Sequence, residues 1–526
     1  MHKVYITDPL SDQGIEKLLQ ADDIEVIRRY DLTPNQLLEE IADADALLVR
    51  SQTQVTEQVI AQAPRLKVIA RAGVGVDNID IPAATQKGVI VVNAPDGNTI
   101  STAEHTFAML LSLSRNIPQA YHSILQGKWN RKAFVGIELK SKTLSIIGLG
   151  RIGAELAKRA KAFRMEVMAY DPYLTKERAE ELGVKKASFD EAIRYADYIT
   201  VHTPLTKETK HFINADTFQN MKQNVRILNC ARGGIIDETA LYEAIKAGKV
   251  AGAALDVFED EPPIQNPLLE LPQVIATPHL GASTIEAQEN VAIDVSEEVI
   301  RILRNQPFKN AVNLPSVPAE LQQKLQPYQE LAEKLGSFLA QITPGAPTKI
   351  TFTYAGEITA LDIAPLTRTI LKGLLSHSLA SVNDVNAPHL AQQRGIQLIE
   401  QKTSHTHGFT QIIHVEMETS RGSHRIAGTL INGFGARITK IDDYSVDVTP
   451  RGNLLYIRHQ DIPGAIGKVG MFLGQQGVNI ATMQVGRLTL GGQAIMVLRM
   501  DRPLTAAILN EFTQIPNFEE VIEITL

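Results

Sequence analysis

The chain has 526 residues, which is too many for one hydrophobic core and predicts three or four domains. Hydrophobic residues make up 44% and charged residues 21%, as in ordinary globular proteins, and a net charge of −7 argues against nucleic acid or an anionic membrane as the main partner. The single cysteine, Cys230, excludes an internal disulfide, and neither a membrane-length apolar run nor a signal-peptide pattern is present, so we predict a cytoplasmic protein.

Residues 1–98 show short apolar runs that alternate with helical patterns. Each run has the length of a buried strand. A longer helical pattern over residues 102–113 follows them, and the alternation predicts an α/β unit with a parallel sheet. The predicted strands are residues 3–7, 45–50, 66–71 and 89–93.

Residues 144–153, LSIIGLGRIG, combine a strand-like run with three glycines and a following helical pattern. Gly148 permits a tight turn, Gly150 lets a pyrophosphate approach the backbone, and Gly153 allows the helix to pack against its strand. The N-terminus of such a helix favours phosphate charge. The pattern predicts a dinucleotide site, although alone it also fits an ordinary glycine turn.

A second predicted strand, residues 166–170, ends in Asp171, at the separation from the glycines that a dinucleotide-binding unit requires. A carboxylate there accepts hydrogen bonds from the adenosine ribose and repels a 2′-phosphate, so the predicted cofactor is NAD rather than NADP. The alternative is a solvated aspartate at the end of a strand. Further αβ units predict a doubly wound parallel sheet, with strands at residues 198–202, 225–229, 251–257 and 274–277.

Three of these later strands lead into loops that carry Arg232, Glu261 and His279. Ligands of an open α/β sheet bind beyond the carboxyl ends of its strands, so the three side chains are predicted to share one crevice. Arginine can clamp a carboxylate, histidine can exchange the proton of an alcohol, and a carboxylate beside the imidazole orients it and stabilises its cation. Singly, each residue also fits a structural role. Together, beside a dinucleotide fold, they predict an active site.

The ordered motifs GLGRIG, NCARGGIID, DVFEDEP and PHLGAST resemble the D-isomer-specific 2-hydroxyacid dehydrogenases over residues 1–310. The resemblance implies that Arg232 binds the substrate carboxylate and polarises the carbonyl, that His279 is the acid–base group, and that Glu261 orients His279. It implies that Cys230 lies beside the nicotinamide and is not a nucleophile. The NAD contacts expected from the fingerprint and the family are Gly148, Gly150, Arg151, Ile152, Gly153, Asp171, Pro172, Thr203, Cys230, Ala231, Asp256, His279 and Gly281.

The family also implies a Rossmann-like NAD domain, residues 99–283, inserted into a flavodoxin-like substrate domain made of residues 1–98 and a returning helix within 284–313. Two arginines and an asparagine on the cleft-facing loops predict a second anionic group on the substrate, a phosphate. The alternative is that both arginines form structural ion pairs. The candidate substrate ligands are Arg50, Ser51, Arg71, Val74, Gly75 and Asn98.

Residues 313–318 are predicted to be a linker, and residues 319–450 an α+β intervening domain that begins with a helix over 319–342. Alternating patterns predict strands at residues 350–354, 412–417 and 425–430, and none of them carries a chemical motif. Three basic residues fit either an anion site or a solvated face, and we favour the solvated face; no metal site is predicted. These residues are Arg437, Lys440 and Arg451.

Residues 453–526 show the element order βαββαβ of a split βαβ fold. With the motifs DIPGAIG and GVNIATM, they resemble an ACT domain, a ferredoxin-like module that senses amino acids. In related ACT domains the matching positions hold serine between two modules, which makes His459, Asp461 and Asn479 the candidate regulatory ligands. The alternative is that Asp461 caps a helix and Asn479 fills a turn.

The dehydrogenase family, the predicted phosphate contacts and the ACT domain together imply oxidation of 3-phospho-D-glycerate with NAD, the first step of L-serine biosynthesis. They also imply a homo-oligomer that L-serine inhibits as an allosteric ligand. The first alternative is another D-2-hydroxyacid dehydrogenase, such as a glyoxylate or hydroxypyruvate reductase. The second is an NAD-sensing corepressor of the same fold, in which an amino-acid sensor would have little use.

Overall fold

The computed structural model describes residues 1–315 and 319–526, so residues 316–318 of the predicted linker lie outside the described residues. Within the described parts the chain forms four β-sheets, of five, seven, six and four strands in chain order. No helix in these parts is long and apolar enough to cross a membrane.

The first sheet is built from the N-terminal residues, and its strands are all parallel, in the order β2-β1-β3-β4-β5. This is the flavodoxin-like order that the sequence predicted. The strand β2 was missed because it lies at the edge of the sheet and buries only Ile24. The elements are β1 (His2–Ile6), α1 (Glu16–Leu19), β2 (Ile24–Arg28), α2 (Pro34–Glu40), β3 (Ala46–Val49), α3 (Glu57–Gln62), β4 (Val68–Arg71), α4 (Ile81–Lys87) and β5 (Ile90–Asn93).

The second sheet is also parallel, in the order β12-β11-β10-β9-β6-β7-β8, and the direction of winding reverses between β6 and β9. Ligands of such sheets bind at this switch point, beyond the carboxyl ends of the strands. Short 3-10 helices occur at Arg131–Phe134 and Pro267–Glu270. The other elements are α5 (Thr99–Arg115), α6 (Ile117–Leu125), β6 (Thr143–Ile147), α7 (Arg151–Ala162), β7 (Glu166–Tyr170), α8 (Lys176–Leu182), β8 (Lys185–Lys186), α9 (Phe189–Arg194), β9 (Tyr198–Val201), α10 (Ala215–Asn220), β10 (Val225–Asn229), α11 (Glu238–Lys246), β11 (Val250–Leu255) and β12 (Val274–Ala276).

Helix α12 (Ile285–Leu303) returns the chain to the first sheet. Its apolar side chains Val291, Val295 and Val299 share one core with Val4 and Ile6 of β1. The unit that carries the second sheet is therefore inserted between two segments that pack together, as the sequence predicted.

The third sheet is mixed, in the order β14-β13-β15-β16-β17-β18, and only β13 and β14 pair in parallel. The two long helices of this region contribute apolar side chains to its core. The edge strand β14 is mostly exposed, so its sequence lacks the alternation that reveals a strand. The elements are α13 (Ala319–Ile342), β13 (Pro347–Gly356), the 3-10 helix Glu357–Ala360, α14 (Ala364–Leu375), α15 (Ala387–Gln393), β14 (Gln397–Thr403), β15 (Gln411–Thr419), β16 (Gly422–Ile431), β17 (Gly435–Ile441) and β18 (Tyr444–Val448).

The fourth sheet is antiparallel, in the order β20-β21-β19-β22, and its elements follow the predicted βαββαβ order. One side of this sheet completes the core of the preceding region, where Tyr456 packs edge-to-face on Phe338. The two C-terminal units therefore share a hydrophobic core. The elements are β19 (Asn453–Gln460), α16 (Ala465–Gln475), β20 (Ile480–Arg487), β21 (Gln493–Met500), α17 (Ala506–Thr513) and β22 (Phe518–Thr525).

Candidate active site

The loops after β11 and β12 bring Glu261 and His279 into direct contact. His279 Nδ1 lies 2.8 Å from Glu261 Oε2, and the Phe258 N–H donates to Glu261 Oε1 at 3.1 Å. Both side chains are partly exposed, at 47% for His279 and 38% for Glu261. Because Nδ1 is held by the carboxylate, Nε2 is the ring nitrogen that can exchange a proton with a substrate.

The ionisation of Glu261 is set by opposing effects. Burial alone would raise its pKa, but the hydrogen bond and the charge of His279, with the Phe258 N–H, lower the pKa of Glu261 below its ordinary value. The carboxylate is therefore charged at neutral pH, and it stabilises the protonated imidazole.

Asp256 holds the loop that carries His279. Its side chain is 1% exposed and accepts hydrogen bonds from the Leu280 N–H at 2.7 Å and the Gly281 N–H at 2.8 Å. His105 on α5 lies 3.1 Å from the same carboxylate. Burial opposes ionisation of Asp256, but these partners and Thr277 lower its pKa. Asp256 and Gly281, which were predicted to contact NAD, thus lie next to His279 in the structure. The sequence analysis did not identify His105.

Arg232 follows β10 and reaches across to a loop of the first sheet. Its Nε lies 2.9 Å from Asp77 Oδ2, and its Nη1 donates to the Ala231 carbonyl at 2.7 Å. The Asn229 side chain accepts from the Ala231 N–H and donates to the Arg232 carbonyl, which fixes this loop. The sequence analysis predicted Arg232 and Ala231 but assigned no role to Asp77.

Arg71 lies beside Arg232, and its surroundings disfavour its positive charge. Burial, followed by the charge of Arg232, lowers the pKa of Arg71 to about 10. Its Nε is buried without a hydrogen-bond partner in the described part of the chain, as is Asn98 Oδ1. A buried guanidinium with a free donor favours a ligand over the structural ion pair that the sequence left open.

Arg50 and Ser51 lie in the turn after β3, beneath which Asp8 is buried. The Asp8 carboxylate is 2% exposed and accepts from the Arg50 N–H at 2.5 Å and from Thr53 Oγ1 at 2.6 Å. These hydrogen bonds fix the backbone of the turn, and they leave the Arg50 guanidinium available to bind other groups. No sequence signal identified Asp8, because its partners Arg50 and Thr53 lie far along the chain, in the turn after β3.

The backbone at Gly75 lies directly against the Arg232 side chain. A Cβ added to Gly75 would overlap the Arg232 guanidinium, so only glycine allows this approach. The Val74 carbonyl accepts from the Asn93 side chain at 2.6 Å. The Arg232 guanidinium therefore lies against Gly75, while that of Arg71 lies against Gly73, two residues earlier in the same loop.

The glycine fingerprint has the geometry of a phosphate cradle. Gly150 caps α7 without a side-chain bond, and a Cβ there would meet open space, so the helix N-terminus is free to take an anion. Gly148 is left-handed, with φ of 95°, and Gly153 packs on the Gly148 carbonyl. Helix α7 begins at Arg151, which places the N–H groups of Arg151 and Ile152 at this end.

Asp171 and Thr203 lie on either side of this cradle. The Asp171 oxygens accept from the Leu149 N–H at 2.9 Å and the Tyr173 N–H at 2.8 Å, which fixes the carboxylate at the end of β7 next to Pro172. Thr203 Oγ1 is buried without a partner in the described residues. An anion cradle, a fixed carboxylate and an unpaired hydroxyl suit the phosphates and ribose of NAD.

Cys230 is buried, and burial followed by the charge of Asp256 raises the pKa of its thiol to about 12. The thiol is therefore protonated at neutral pH. A buried, protonated thiol is a poor nucleophile, and the position of Cys230 beside the nicotinamide stays a prediction.

A separate pocket of about 550 Å³ lies at the end of β19 and is lined by His459 and Asp461. Asp461 accepts from Arg487 at 3.1 Å, and His459 is 1% exposed. Asn479 bonds instead to Asp501, at 2.8 Å, and does not line this pocket. Within one chain, the structure brings two of the three predicted regulatory residues together.

Comparison with known proteins agrees with this geometry. Residues 107–281 match the NAD-binding domain of the D-isomer specific 2-hydroxyacid dehydrogenases, residues 324–442 the D-3-phosphoglycerate dehydrogenase intervening domain, and residues 453–517 the ACT domain. A D-lactate dehydrogenase from Aquifex aeolicus, solved with NAD and lactic acid, is similar at 30% identity, with a TM-score of 0.54, over 60% of this chain and 100% of its own. The fold and the site thus define a D-isomer specific 2-hydroxyacid dehydrogenase that binds NAD.

Curated relatives extend the similarity over the whole chain. The D-3-phosphoglycerate dehydrogenase of Bacillus subtilis is 49% identical, covering 99% of both chains. That of Methanocaldococcus jannaschii is 48% identical over the full length of both. This chain belongs to the D-3-phosphoglycerate dehydrogenase family.

Proposed function

We propose that the protein oxidises 3-phospho-D-glycerate to 3-phosphohydroxypyruvate with NAD, the first step of L-serine biosynthesis. The observation that carries this proposal is the His279–Glu261 pair, together with Arg232 and with Arg71, whose buried Nε has no hydrogen-bond partner among the described residues. The full-length similarity to D-3-phosphoglycerate dehydrogenases supports the choice of substrate.

In this reaction the residues of the chain hold the substrate and move one proton. Arg232 and the N–H groups of residues 74–75 bind the carboxylate at C1 and orient C2. Nε2 of His279 accepts the hydroxyl proton, and Glu261 stabilises the imidazolium that forms. Bound NAD supplies the acceptor for the hydride from C2.

Arg50, Arg71 and Asn98 bind the phosphate. Their position at the loops of the first sheet supports this role, because the nucleotide cradle lies in the other unit. The Asn98 amide adds a neutral hydrogen-bond partner at the start of α5.

The test is NADH formation with 3-phospho-D-glycerate and with D-glycerate, in the wild type and in Arg71→Met. The wild type is expected to prefer the phosphorylated substrate by at least tenfold in kcat/KM, and the variant to lose this preference while keeping its activity on D-glycerate. Equal rates on both substrates in the wild type would instead support a glyoxylate or hydroxypyruvate reductase. Reduction of glyoxylate and hydroxypyruvate by NADH is the matched assay.

L-Serine is the proposed allosteric ligand of the pocket at His459 and Asp461. The ACT domain supports amino-acid regulation, and Asp461 offers an acceptor for an ammonium group. Serine is expected to inhibit without competing for Arg232, because the pocket lies in another part of the molecule. Removal of residues 453–526 is a poor test, since Tyr456 and Ile495 belong to the core of the preceding region.

The protein is also proposed to be a homo-oligomer that assembles through α6 and the loop after it. Helix α6 buries none of its side chains, and large apolar residues are exposed on this surface. They are Ile117, Tyr121, Ile124, Leu125, Trp129 and Val135. Light scattering of Leu125→Asp should show a smaller particle than the wild type, and Trp129, the single tryptophan of the chain, should then emit at longer wavelength.

The proposed domains are residues 1–98 with 284–313, residues 99–283, residues 319–450 and residues 453–526. Limited proteolysis should cut first near the predicted linker at residues 313–318, and residues 319–526 should then stay together because the two C-terminal units share a core. A cytoplasmic location remains a prediction, supported by the one unpaired, buried cysteine.

A further inference from the structure

Two ion pairs join the first sheet's loops to the nucleotide-binding unit across the cleft. Arg232 Nε lies 2.9 Å from Asp77 Oδ2, and Arg151 Nε lies 2.6 Å from Asp96 Oδ1. The first pair involves the side chain that binds the substrate carboxylate in the proposed function. Its acceptor is itself a carboxylate.

The guanidinium of Arg232 presents only part of its donor set to the cleft. Nη1 is held by the Ala231 carbonyl, so the edge formed by Nε and Nη2 is the one that can receive a carboxylate in the bidentate manner. Asp77 Oδ2 occupies Nε, and a Cβ on Gly75 would lie only 2.8 Å from the same oxygen. The Asp77 carboxylate therefore occupies one of the two donors, Nε, of the edge that a substrate carboxylate requires.

Asp77 is also free to leave this position. Its side chain is 63% exposed, whereas Asp8, the other acidic group beside these arginines, is buried and bound to backbone N–H groups. Asp77 contributes a negative charge that favours the charged form of Arg71 as well. Asp8 therefore supports the structure of the loops, whereas Asp77 can be displaced from Arg232 by another carboxylate.

We propose that Asp77 is an internal place-holder for the substrate carboxylate. In the empty enzyme it neutralises Arg232 and draws the two sides of the cleft together. Substrate binding then exchanges one carboxylate for another at the Nε–Nη2 edge, and product release is accompanied by the return of Asp77. This proposal rests on the proposed carboxylate-binding role of Arg232.

The test compares Asp77→Asn with Asp96→Asn, because each variant removes one ion pair across the cleft and only the first removes a competitor for Arg232. Asp77→Asn should lower KM for 3-phospho-D-glycerate by about two- to fivefold, the range expected for a partly exposed ion pair. Asp96→Asn should leave that KM within about twofold of the wild type. A KM that is unchanged or raised in Asp77→Asn, with an unchanged melting temperature, overturns the proposal.

A second measurement separates this proposal from the proposed function. The dissociation constant of oxalate, titrated calorimetrically with NADH present, requires only that Arg232 binds a carboxylate. Asp77→Asn should bind oxalate more tightly than the wild type even if 3-phospho-D-glycerate is not the substrate. If Asp77→Asn does not fold, Asp77→Ser serves in its place, and weaker oxalate binding by a folded variant excludes the place-holder.

Discussion

The catalytic cleft and the ACT pocket differ in how far one chain completes them. In the cleft, His279 has its carboxylate at 2.8 Å, and Arg232 lies against Gly75 while Arg71 lies against Gly73 of the same loop. In the pocket, Asp461 is held by Arg487, while Asn479 bonds to Asp501 elsewhere. Acid–base chemistry needs fixed distances within hydrogen-bond reach, whereas a regulatory ligand can join groups that come from separate surfaces.

This difference suggests how the two sites act. In the proposed homo-oligomer, a cleft complete within one chain would work in each subunit independently. The pocket, which lacks one of its predicted ligands, would then be completed by a second ACT domain, and ligand binding would change the relation between the proposed subunits. The predictions below follow from this contrast.

The largest effect is expected at His279. His279→Ala should lower kcat by about a hundredfold or more, the usual scale for losing an acid–base group, because the hydroxyl proton then has no acceptor. The dissociation constant of NAD, measured by fluorescence quenching, should change little. A mixture of His279→Ala with Arg232→Met, after subunit exchange, should recover no activity beyond that of the parents if the cleft is complete in one chain.

The next effect concerns Asn479 and the regulatory pocket. Asn479→Ala should raise the serine concentration for half-inhibition about tenfold, since one charge-assisted or amide bond to the ligand is lost. The ratio of inhibited to uninhibited rates is the measurement. Subunit exchange with Asp461→Ala should restore inhibition at part of the sites, and failure to do so would place all the ligands in one chain.

Asp171 tests the cofactor side of the cleft. Asp171→Ala should lower the preference for NAD over NADP by about tenfold, because the ribose bonds and the repulsion of a 2′-phosphate disappear together. The ratio of kcat/KM for the two cofactors is the measurement. An unchanged ratio would show that Asp171 only fixes the loop through the Leu149 and Tyr173 N–H groups.

The smallest effect is a shift in pH dependence. In the wild type, the pKa of Glu261 is lowered, so its charge and its support of His279 are present at neutral pH and are lost only as the pH falls through that lowered value. Glu261→Gln removes the charge at all pH values, so the acid limb of kcat/KM should move to lower pH while the maximum falls. An identical acid limb would mean that Glu261 acts only by position.

The sequence analysis predicted the candidate catalytic residues that lie in recognisable local motifs. Arg232, Glu261 and His279 each follow a strand, and the topology places the ends of these parallel strands at one edge of the sheet, where Glu261 and His279 are in direct contact. The partners Asp77, Asp8 and His105 were not predicted, because each acts across a distance in sequence that no local pattern encodes.

The same limit applies to the fold and to the regulatory site. Buried strands were predicted, but two edge strands were missed: β2 fully buries only Ile24, and β14 is mostly exposed. The pairing of Asn479 with Asp501 depends on the register between β20 and β21, which includes an irregularity near Ile480. Sequence pattern gives the elements, while side-chain partners depend on packing.

The return of α12 to the first sheet has a consequence for the order in which the protein forms. Val291, Val295 and Val299 complete a core whose other members come from the start of the chain, and the entire nucleotide-binding unit is synthesised between them. The nucleotide-binding unit is contiguous and can fold while α12 is still being made. The unit begun first on the ribosome is thus completed only after the nucleotide-binding unit has been made, and until α12 arrives one face of its sheet lacks its apolar partner.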